Sequence, residues 1–270
     1  MTDTENQVQA PGGAFTDRTV EADGFSVRVA VAGEGDPLLA LHGAGGLQHS
    51  TGLDLLAERY HVHLVELPGF GETVNDTTQS AEQMGRTVLA VADALGLDRF
   101  TLLGTSMGGV VALWTAVQAP ERITRLVLEA PGVFRPEVDP STMTPEIMFR
   151  AFHAHPERKI LTPPDPAYQG RTWPLVLRLM GPLTDDALTQ RIGALPVPTL
   201  ALYGSKDGLF GTAPGNELRR TMPDCTFAIV YDAAHDISGD RPEAFAAIIA
   251  DFVDRGAEFV IRDTSTLIHR

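Results

Sequence analysis

The stretch Gly104-Thr105-Ser106-Met107-Gly108 restricts the fold of this chain more than any other feature. It follows directly on the apolar run Phe100–Leu103 and directly precedes a segment with helical spacing. A turn from strand to helix within so few residues strains the serine backbone, and only glycine fits two positions before it and two positions after it. The pattern therefore predicts an open α/β sheet that holds the Ser106 hydroxyl at its carboxyl edge, where such sheets bind ligands.

The rest of the chain alternates between strand-like and helix-like segments. One helix is marked at both ends, by the N-cap Ser80 with Gln83 three residues later and by the stop signal Gly96. Such alternation is typical of a parallel sheet covered by helices on both faces, and the turn at Asp23-Gly24 predicts an antiparallel hairpin before it. We predict the α/β class with a mostly parallel eight-stranded sheet. The strand-like runs are Thr16–Asp23, Phe25–Ala32, Pro37–Leu41, His61–Val65, Phe100–Leu103, Arg125–Leu128, Pro198–Tyr203 and Phe227–Tyr231.

Residues 133–196 interrupt this alternation and carry no strand signal. Three helix-like pieces lie there, Pro145–His155, Pro174–Met180 and Asp185–Leu195 after the expected cap Thr184. We expect this segment to be a helical lid inserted into the sheet order. The predicted organisation is a flexible N-terminus at 1–15, an α/β core at 16–132 and 197–255, the lid at 133–196, and a C-terminal tail at 256–270 with a strand-like stretch at Glu258–Arg262.

The composition limits the partners of the chain. Its 21 Lys and Arg against 35 Asp and Glu leave a formal net charge of −14, which repels nucleic-acid backbones and anionic membranes. The single cysteine, Cys225, can close no intramolecular disulfide. No apolar run approaches the ~18 residues of a spanning helix, and residues 1–15 show no secretory signal. We expect a cytoplasmic protein that binds a small molecule, neither nucleic acid nor membrane. The sequence leaves a homodimer open.

The serine needs two partners to act as a nucleophile, a base that takes its proton and a third group that orients the base. On this kind of scaffold the chain order is serine, acid, histidine. Asp207 follows the buried strand that ends at Tyr203-Gly204, and His235 stands on the loop after the last strand. We predict Ser106 as nucleophile, Asp207 as the acid and His235 as the general base. Glu129, at the end of the preceding strand, is the alternative acid.

The loop His42-Gly43-Ala44-Gly45-Gly46 follows an early strand, where backbone N–H groups can bind a developing oxyanion. We predict the amides of Ala44 and Met107 as the two donors. His42 is expected to hold this loop by hydrogen bonding, and we place it with Gly43 among the residues around the substrate. This scheme needs neither a metal nor a cofactor.

The remaining histidines favour structural roles. His61 and His63 point to one face of a strand, but two imidazoles without nearby Asp or Cys make a weak metal site. His153 and His155 stand two positions apart, so they share no helix face.

Apolar side chains dominate the predicted lid. Some must pack it onto the core, and the others are expected to line a largely apolar pocket for a small to medium substrate. The substrate-binding candidates in the lid are Phe134, Met148, Phe152 and Trp173.

These motifs together resemble the α/β-hydrolase superfamily, specifically its lidded serine-esterase-like branch. The resemblance covers residues 16–253 and includes Glu66-Leu67-Pro68-Gly69-Phe70-Gly71 and Ala234-His235. It implies an acyl-enzyme on Ser106, with Asp207 and His235, and a lid that lines the acyl pocket. The chain departs from the family's usual residues at Glu66, Glu72 and Ala234. None of these is one of the three catalytic candidates.

The favoured function is hydrolysis of a carboxylic ester with a small to medium, largely apolar substrate. The main alternative is hydrolysis of a carbon–carbon bond in a vinylogous diketone of the meta-cleavage product type. Lactonase, thioesterase and acyltransferase activities would use the same three residues. A catalytically silent binding protein with this fold is the alternative outside enzymes, and the intact Ser106, Asp207 and His235 set disfavours it.

Overall fold

The chain begins its sheet with an antiparallel hairpin. The computed structural model describes residues 10–137, 144–158 and 165–256, and the backbone of 267–269. Strand β1 (Thr16–Ala22) pairs with β2 (Phe25–Ala32) around Asp23 and Gly24, whose φ angles are 52° and 79°. Asp and Gly tolerate this left-handed region better than other residues, which explains the position of the turn.

The remaining strands form one mostly parallel sheet in the order β1-β2-β4-β3-β5-β6-β7-β8-β9. All eight predicted strands are confirmed, and a short ninth strand, β9, pairs antiparallel with β8. The predicted stretch Glu258–Arg262 lies outside the described residues. The parallel strands and β9 are β3 (Pro37–Leu41), β4 (His61–Val65), β5 (Phe100–Thr105), β6 (Ile123–Glu129), β7 (Thr199–Gly204), β8 (Cys225–Val230) and β9 (Leu267–His269).

Helices cover both faces of the sheet, as predicted for parallel strands with buried side chains on both sides. One core includes Met84, Val111 and Leu218, and the other includes Leu56 and Phe245. The first is covered by α2 (Ala81–Ala94), α3 (Met107–Gln118) and α7 (Ala213–Thr221), and the second by α1 (Thr51–Ala57), α8 (Ile237–Asp240) and α9 (Pro242–Arg255).

The insertion, which we define as residues 133–196, contains helices α4 (Pro145–Phe152), α5 (Pro166–Met180) and α6 (Asp186–Ile192). Helix α5 begins well before the predicted start at Pro174, because Asp165 caps the amide of Ala167 and Pro166 takes the first helical position. The prediction of Thr184 as the cap of α6 was wrong. The Asp185 carboxylate accepts from Leu188 N–H at 3.0 Å instead.

The part of the predicted flexible N-terminus that the structure describes is docked on the core. Gly12 N–H donates to the Asp54 carboxylate of α1 at 3.0 Å, and the Phe15 ring lies 4.9 Å from the imidazole of His49. Residues 10–15 therefore cover the amino-terminal end of α1.

Candidate active site

Ser106 occupies the sharp turn between β5 and α3. Its φ is 53° and its ψ is −113°, a region that non-glycine residues rarely adopt. A Cβ atom at Gly104 would lie 2.5 Å from the carbonyl oxygen of Gly108, and one at Gly108 would lie 2.4 Å from that of His42. Both glycines are therefore required by close backbone packing, as the sequence pattern predicts.

The structure brings the three predicted side chains together in one hydrogen-bonded chain. His235 Nε2 lies 3.0 Å from Ser106 Oγ, and His235 Nδ1 lies 2.9 Å from Asp207 Oδ2. All three residues are buried, with only 1% of His235 exposed. A carboxylate only accepts, so Nδ1 carries the proton of the neutral ring, and Nε2 is left with a lone pair directed at the serine hydroxyl.

Backbone groups hold Asp207 in this position. Its Oδ1 accepts from Leu209 N–H at 2.8 Å and from Phe210 N–H at 2.9 Å, which leaves Oδ2 for the imidazole. Two charge-assisted bonds to the backbone fix the carboxylate plane. The strand before it ends at Gly204, where a Cβ would lie 2.1 Å from the carbonyl oxygen of Ala234. The loops that carry Asp207 and His235 therefore pack directly against each other.

Two phenylalanine rings enclose the His235 imidazole. The Phe152 ring lies 4.7 Å away at an interplanar angle of 70°, and the Phe210 ring lies 4.9 Å away at 89°. Edge-to-face contacts of this kind orient a ring and keep water from its faces. The structure thus places Phe152, a predicted substrate contact, against the predicted base.

The glycine-rich loop lies beside Ser106, where the predicted oxyanion donors belong. A Cβ at Gly43 would be only 3.5 Å from Ser106 Cβ, so the loop backbone touches the nucleophile turn. Met107 is the first residue of α3, and a first-turn N–H has no acceptor within its helix. Ala44 follows Gly43 in this loop and Met107 follows Ser106 at the turn, so the two predicted donors lie on the two backbone segments next to the serine.

His42 anchors this loop through both ring nitrogens. Nδ1 donates to the Gly43 carbonyl at 2.7 Å, and Nε2 accepts from Leu67 N–H at 3.0 Å. Burial lowers the pKa of the imidazole to about 4, so the ring is neutral near pH 7. The geometry agrees with the expected loop-holding role. Both ring nitrogens of His42 are thus occupied by the backbone, and its contact with a substrate stays a prediction.

The other candidates in the insertion have different environments. Phe134 has a positive φ of 52° and lines a cavity of about 400 Å³ between α2, α3, α5 and α6. Met148 is half-buried on α4, one turn before Phe152. Trp173 is 51% exposed, because the buried face of α5 is formed by Thr172, Leu175, Val176 and Leu179. About half of Trp173 is therefore open to solvent, and its contact with a substrate stays a prediction.

The cavity lies close to the back of the nucleophile turn. Val110, which lines it, stands one helical turn after Ser106 on α3. Gly132, which also lines it, donates its N–H to the Ser106 carbonyl at 3.0 Å. Apolar side chains form most of its wall, among them Trp114, Leu179, Met180 and Ile192.

Sequence reasoning missed the segment 151–155, which joins the insertion to both loops of the site. The Ala151 carbonyl accepts from Gly208 N–H at 3.2 Å, and the Phe152 carbonyl accepts from Asp236 N–H at 3.0 Å. Ala154 N–H donates to Asp240 Oδ2 at 2.8 Å. On the insertion side all three bonds are made by backbone atoms, so the residue types of 151–155 carry no signal for them.

Tyr168 of α5 makes a further contact that the sequence did not indicate. Its hydroxyl donates to the Gly45 carbonyl at 3.4 Å, and a Cβ at Gly46 would lie 2.2 Å from the same hydroxyl. The insertion therefore contacts the glycine-rich loop as well as the loops of Asp207 and His235.

The histidines outside the site also differ from one another. The rings of His61 and His63 lie 4.2 Å apart, and neither nitrogen of His63 has a partner among the described residues. His153 Nδ1 lies 3.4 Å from Asp236 Oδ2 and 3.8 Å from Asp240 Oδ1. These three residues form the one group in the described part of the chain whose atoms lie close enough to hold a metal. His155 Nε2 lies 2.8 Å from Asp232 Oδ2.

Comparison with known proteins places the chain in a family. A family model described as alpha/beta hydrolase fold matches residues 36–163. The pimeloyl-[acyl-carrier protein] methyl ester esterase of Photobacterium profundum is 30% identical, over 82% of this chain and 96% of that protein. The 2-hydroxy-6-oxo-6-phenylhexa-2,4-dienoate hydrolase of Burkholderia cepacia is 28% identical, over 86% of this chain and 92% of that protein. The chain belongs to the α/β-hydrolase family and is an enzyme of that fold.

Solved structures agree on the fold. A meta-cleavage product hydrolase from Pseudomonas fluorescens superposes with a TM-score of 0.76 at 20% identity, over 88% of this chain and 97% of that one. Naproxen esterase from Bacillus subtilis superposes with a TM-score of 0.69 at 15% identity, over 88% of this chain and 91% of that one. In the described part of this chain, every helix is too short or too polar to span a bilayer.

Proposed function

We propose that this enzyme hydrolyses carboxylic esters of small to medium, largely apolar substrates through an acyl-enzyme on Ser106. The observation that carries the proposal is the buried hydrogen-bonded chain Ser106–His235–Asp207 beside two backbone segments that can bind an oxyanion. Ser106 Oγ attacks the ester carbonyl while His235 Nε2 takes its proton, and Asp207 stabilises the imidazolium that forms. The amides of Ala44 and Met107 stabilise the oxyanion.

The second half of the reaction uses the same groups. The imidazolium of His235 gives its proton to the departing alcohol, so the tetrahedral intermediate collapses to an ester on Ser106 Oγ. A water molecule, deprotonated by His235, then attacks the acyl carbon and releases the acid. Each step balances without a metal or an organic cofactor.

The insertion is proposed to act as a lid that shapes the substrate pocket. The cavity beneath it is lined by Val110, Gly132 and Phe134, and Gly132 bonds directly to the Ser106 backbone. We propose that one apolar arm of the substrate occupies this cavity while its carbonyl faces Ser106. Its volume of about 400 Å³ suits a small to medium group.

The alternative of carbon–carbon hydrolysis is supported by relatives that act on dienoates, such as the one from Burkholderia cepacia. That substrate carries a carboxylate, which calls for a cation in the pocket. Among the described residues that line the cavity, Arg178 is the one arginine, and its Nε and Nη2 already donate to the carbonyls of Thr78 and Asn75. The other insertion arginines whose side chains the structure describes lie outside the cavity wall. Arg171 and Arg191 stack on Tyr168 and Trp114, Arg135 donates to carbonyls at the end of α5, and Arg150 is exposed. This arrangement favours a neutral ester.

The deciding experiment compares two substrate classes on the same preparation. We expect measurable kcat/KM on p-nitrophenyl esters from acetate to hexanoate, and on a methyl ester of a medium-chain acid. We expect a value at least about a hundredfold lower on a 2-hydroxy-6-oxo-dienoate. Burying an unpaired carboxylate in an apolar pocket costs several kcal/mol, and a hundredfold corresponds to only about 2.7 kcal/mol. The Ser106→Ala variant is the control for both classes. The reverse ranking would replace ester hydrolysis with carbon–carbon hydrolysis.

A further inference from the structure

Glu129 is a buried carboxyl group that the proposed reaction does not use. It ends β6, next to β5, where it is paired with Thr105 in the sheet register. Its backbone carbonyl accepts from Ser106 N–H at 2.8 Å, so the main chain of this residue already supports the strained turn. Only 1% of Glu129 is exposed.

The side chain of Glu129 joins the two halves of the site. Oε2 accepts from the Thr105 hydroxyl at 2.7 Å, and Oε1 accepts from Ser238 N–H at 2.8 Å. Thr105 directly precedes the nucleophile, and Ser238 lies in α8, three residues after His235. One carboxyl group thus ties the nucleophile turn to the loop of the base.

We propose that Glu129 is a positioning residue, which holds the nucleophile turn and the histidine loop in register through its ionised carboxylate. This inference rests on the proposed function. The ionised carboxylate accepts at both oxygens, so both bonds are charge-assisted. A protonated carboxyl group keeps its bond from Ser238 N–H and can donate its O–H to the Thr105 hydroxyl, but both bonds are then between neutral groups and weaker.

The surroundings of Glu129 make its charge sensitive to pH. Burial raises the pKa of the Glu129 carboxyl to about 7, and the nearby Asp236 carboxylate acts in the same direction. The bonds from Thr105 and Ser238 and the charge of His235 act in the opposite direction. The ionised carboxylate also attracts the imidazolium that His235 becomes when Ser106 attacks. Ionisation of Glu129 near pH 7 therefore strengthens its bonds to the nucleophile turn and the histidine loop, and it stabilises the imidazolium of His235.

The test compares the wild-type enzyme with Glu129→Gln over a range of pH. Gln preserves the shape and an oxygen acceptor for Ser238 N–H, but it carries no charge. The readouts are the rate at which a fluorophosphonate labels Ser106, and kcat and KM on p-nitrophenyl butyrate. At about pH 8.5 we expect labelling and kcat to fall about tenfold with little change in KM. Toward about pH 5.5 the ratio of wild type to variant should approach one, because wild-type Glu129 is then protonated too.

The matched control is Asp254→Asn. Asp254 also accepts from a hydroxyl, that of Tyr60 at 2.9 Å, but Tyr60 directly precedes β4 and so lies at the opposite edge of the sheet. The ratio of the wild-type rate to the Asp254→Asn rate should stay near one at every pH.

A second pair of variants, Thr105→Val and Thr105→Ser, tests the bond from Thr105 to Glu129 itself. The valine variant should be slow and the serine variant close to wild type. This pair decides the question if Glu129→Gln does not fold.

Three results would overturn the proposal. A rate ratio independent of pH, or no change at all, would reduce Glu129 to a space-filling role. A loss as large as that of Asp207→Asn would make Glu129 the acid partner itself. Equal rates for Thr105→Val and Thr105→Ser would show that the bond from Thr105 to Glu129 does not hold the turn at Ser106. Because labelling of Ser106 needs no ester substrate, these outcomes stay readable even if the enzyme hydrolyses no ester.

Discussion

The Phe152 ring stands edge to face against the His235 imidazole, with 4.7 Å between the ring centroids. Phe152 is the last residue of α4 in the insertion, whereas His235 follows the last strand of the core. The insertion therefore forms part of the wall around the proposed base. Any movement of α4 would change the packing of this proposed base.

The first prediction concerns this contact. Phe152→Ala removes one face of the enclosure, so His235 should sample more orientations and kcat should fall about tenfold or more. The control is Phe149→Ala, because the Phe149 ring makes the same kind of contact with His153, at 4.8 Å and 70°. Steady-state kinetics on one ester would compare the two. Equal losses in both variants would show that the effect comes from general loosening of α4.

Ser106→Ala should abolish turnover and leave the fold nearly unchanged, since the Ser106 hydroxyl contacts His235 and fills little space. Mass spectrometry after fluorophosphonate treatment should locate the adduct on the Ser106 peptide of the wild-type enzyme. Full activity of the alanine variant, or an adduct on another residue, would contradict the proposed mechanism.

Asp207→Asn should lower kcat severely while circular dichroism stays unchanged. The amide cannot stabilise the imidazolium, and its N–H₂ group would favour the wrong ring tautomer at Nδ1. In serine proteases the corresponding change lowers kcat by ~10⁴. A small loss here, combined with a large loss in Glu129→Gln, would transfer the acid role to Glu129.

Narrowing the cavity under the insertion should shorten the preferred acyl chain. Val110→Phe adds a ring to the cavity wall one turn from Ser106. We expect kcat/KM on p-nitrophenyl hexanoate to fall relative to acetate by about tenfold or more. Val117→Phe, on the same helix but outside the cavity wall, is the control. An unchanged chain-length profile would mean that the substrate binds elsewhere.

Stability should fall in mild acid because of two buried histidines. Burial lowers the pKa of both His42 and His63 to about 4, from 6.5 for an unperturbed ring. The unfolded chain then binds protons that the folded chain does not, so the free energy of unfolding decreases as the pH drops from about 6.5 towards 4. Chemical denaturation at several pH values would measure this slope.

The variant His63→Leu isolates one of these two contributions. Neither nitrogen of His63 has a partner among the described residues, so leucine should cost no hydrogen bond and should flatten the slope. The same slope in wild type and His63→Leu would show that other groups dominate the acid transition.

A chelator should leave the rate unchanged, because the protein's own groups stabilise both charges of the proposed reaction. The amides of Ala44 and Met107 stabilise the oxyanion, and Asp207 stabilises the imidazolium. Dialysis against EDTA followed by ester assay tests this. A loss that zinc or manganese restores would direct attention to His153, Asp236 and Asp240, whose potential ligand atoms lie together near the His235 loop. His153→Ala would then have to abolish the restoration.

Much of the site could be predicted because its pieces carry local signals. Gly104 and Gly108 mark the turn at Ser106, since no larger residue fits the close backbone contacts there. Asp207 and His235 each follow a buried apolar strand, and the carboxyl ends of parallel strands meet at one edge. His42 was less predictable, because a histidine in a glycine-rich loop can face the substrate or the backbone. In the structure both of its ring nitrogens bond to the backbone.

The order of strands and helices, the strained turn and the three side chains at the sheet edge follow from the residues alone, because they depend on short-range backbone sterics and on hydrophobic periodicity. Which residues of the insertion face the site depends on tertiary packing. Phe152 meets His235 and Trp173 stays half exposed, although both are large apolar residues on insertion helices. The hydrogen bond from Ser238 N–H to Glu129 also depends on tertiary packing, because the two residues lie 109 positions apart in the chain. Contacts between distant segments depend on how the helices dock, and docking is set by the packing of the whole core.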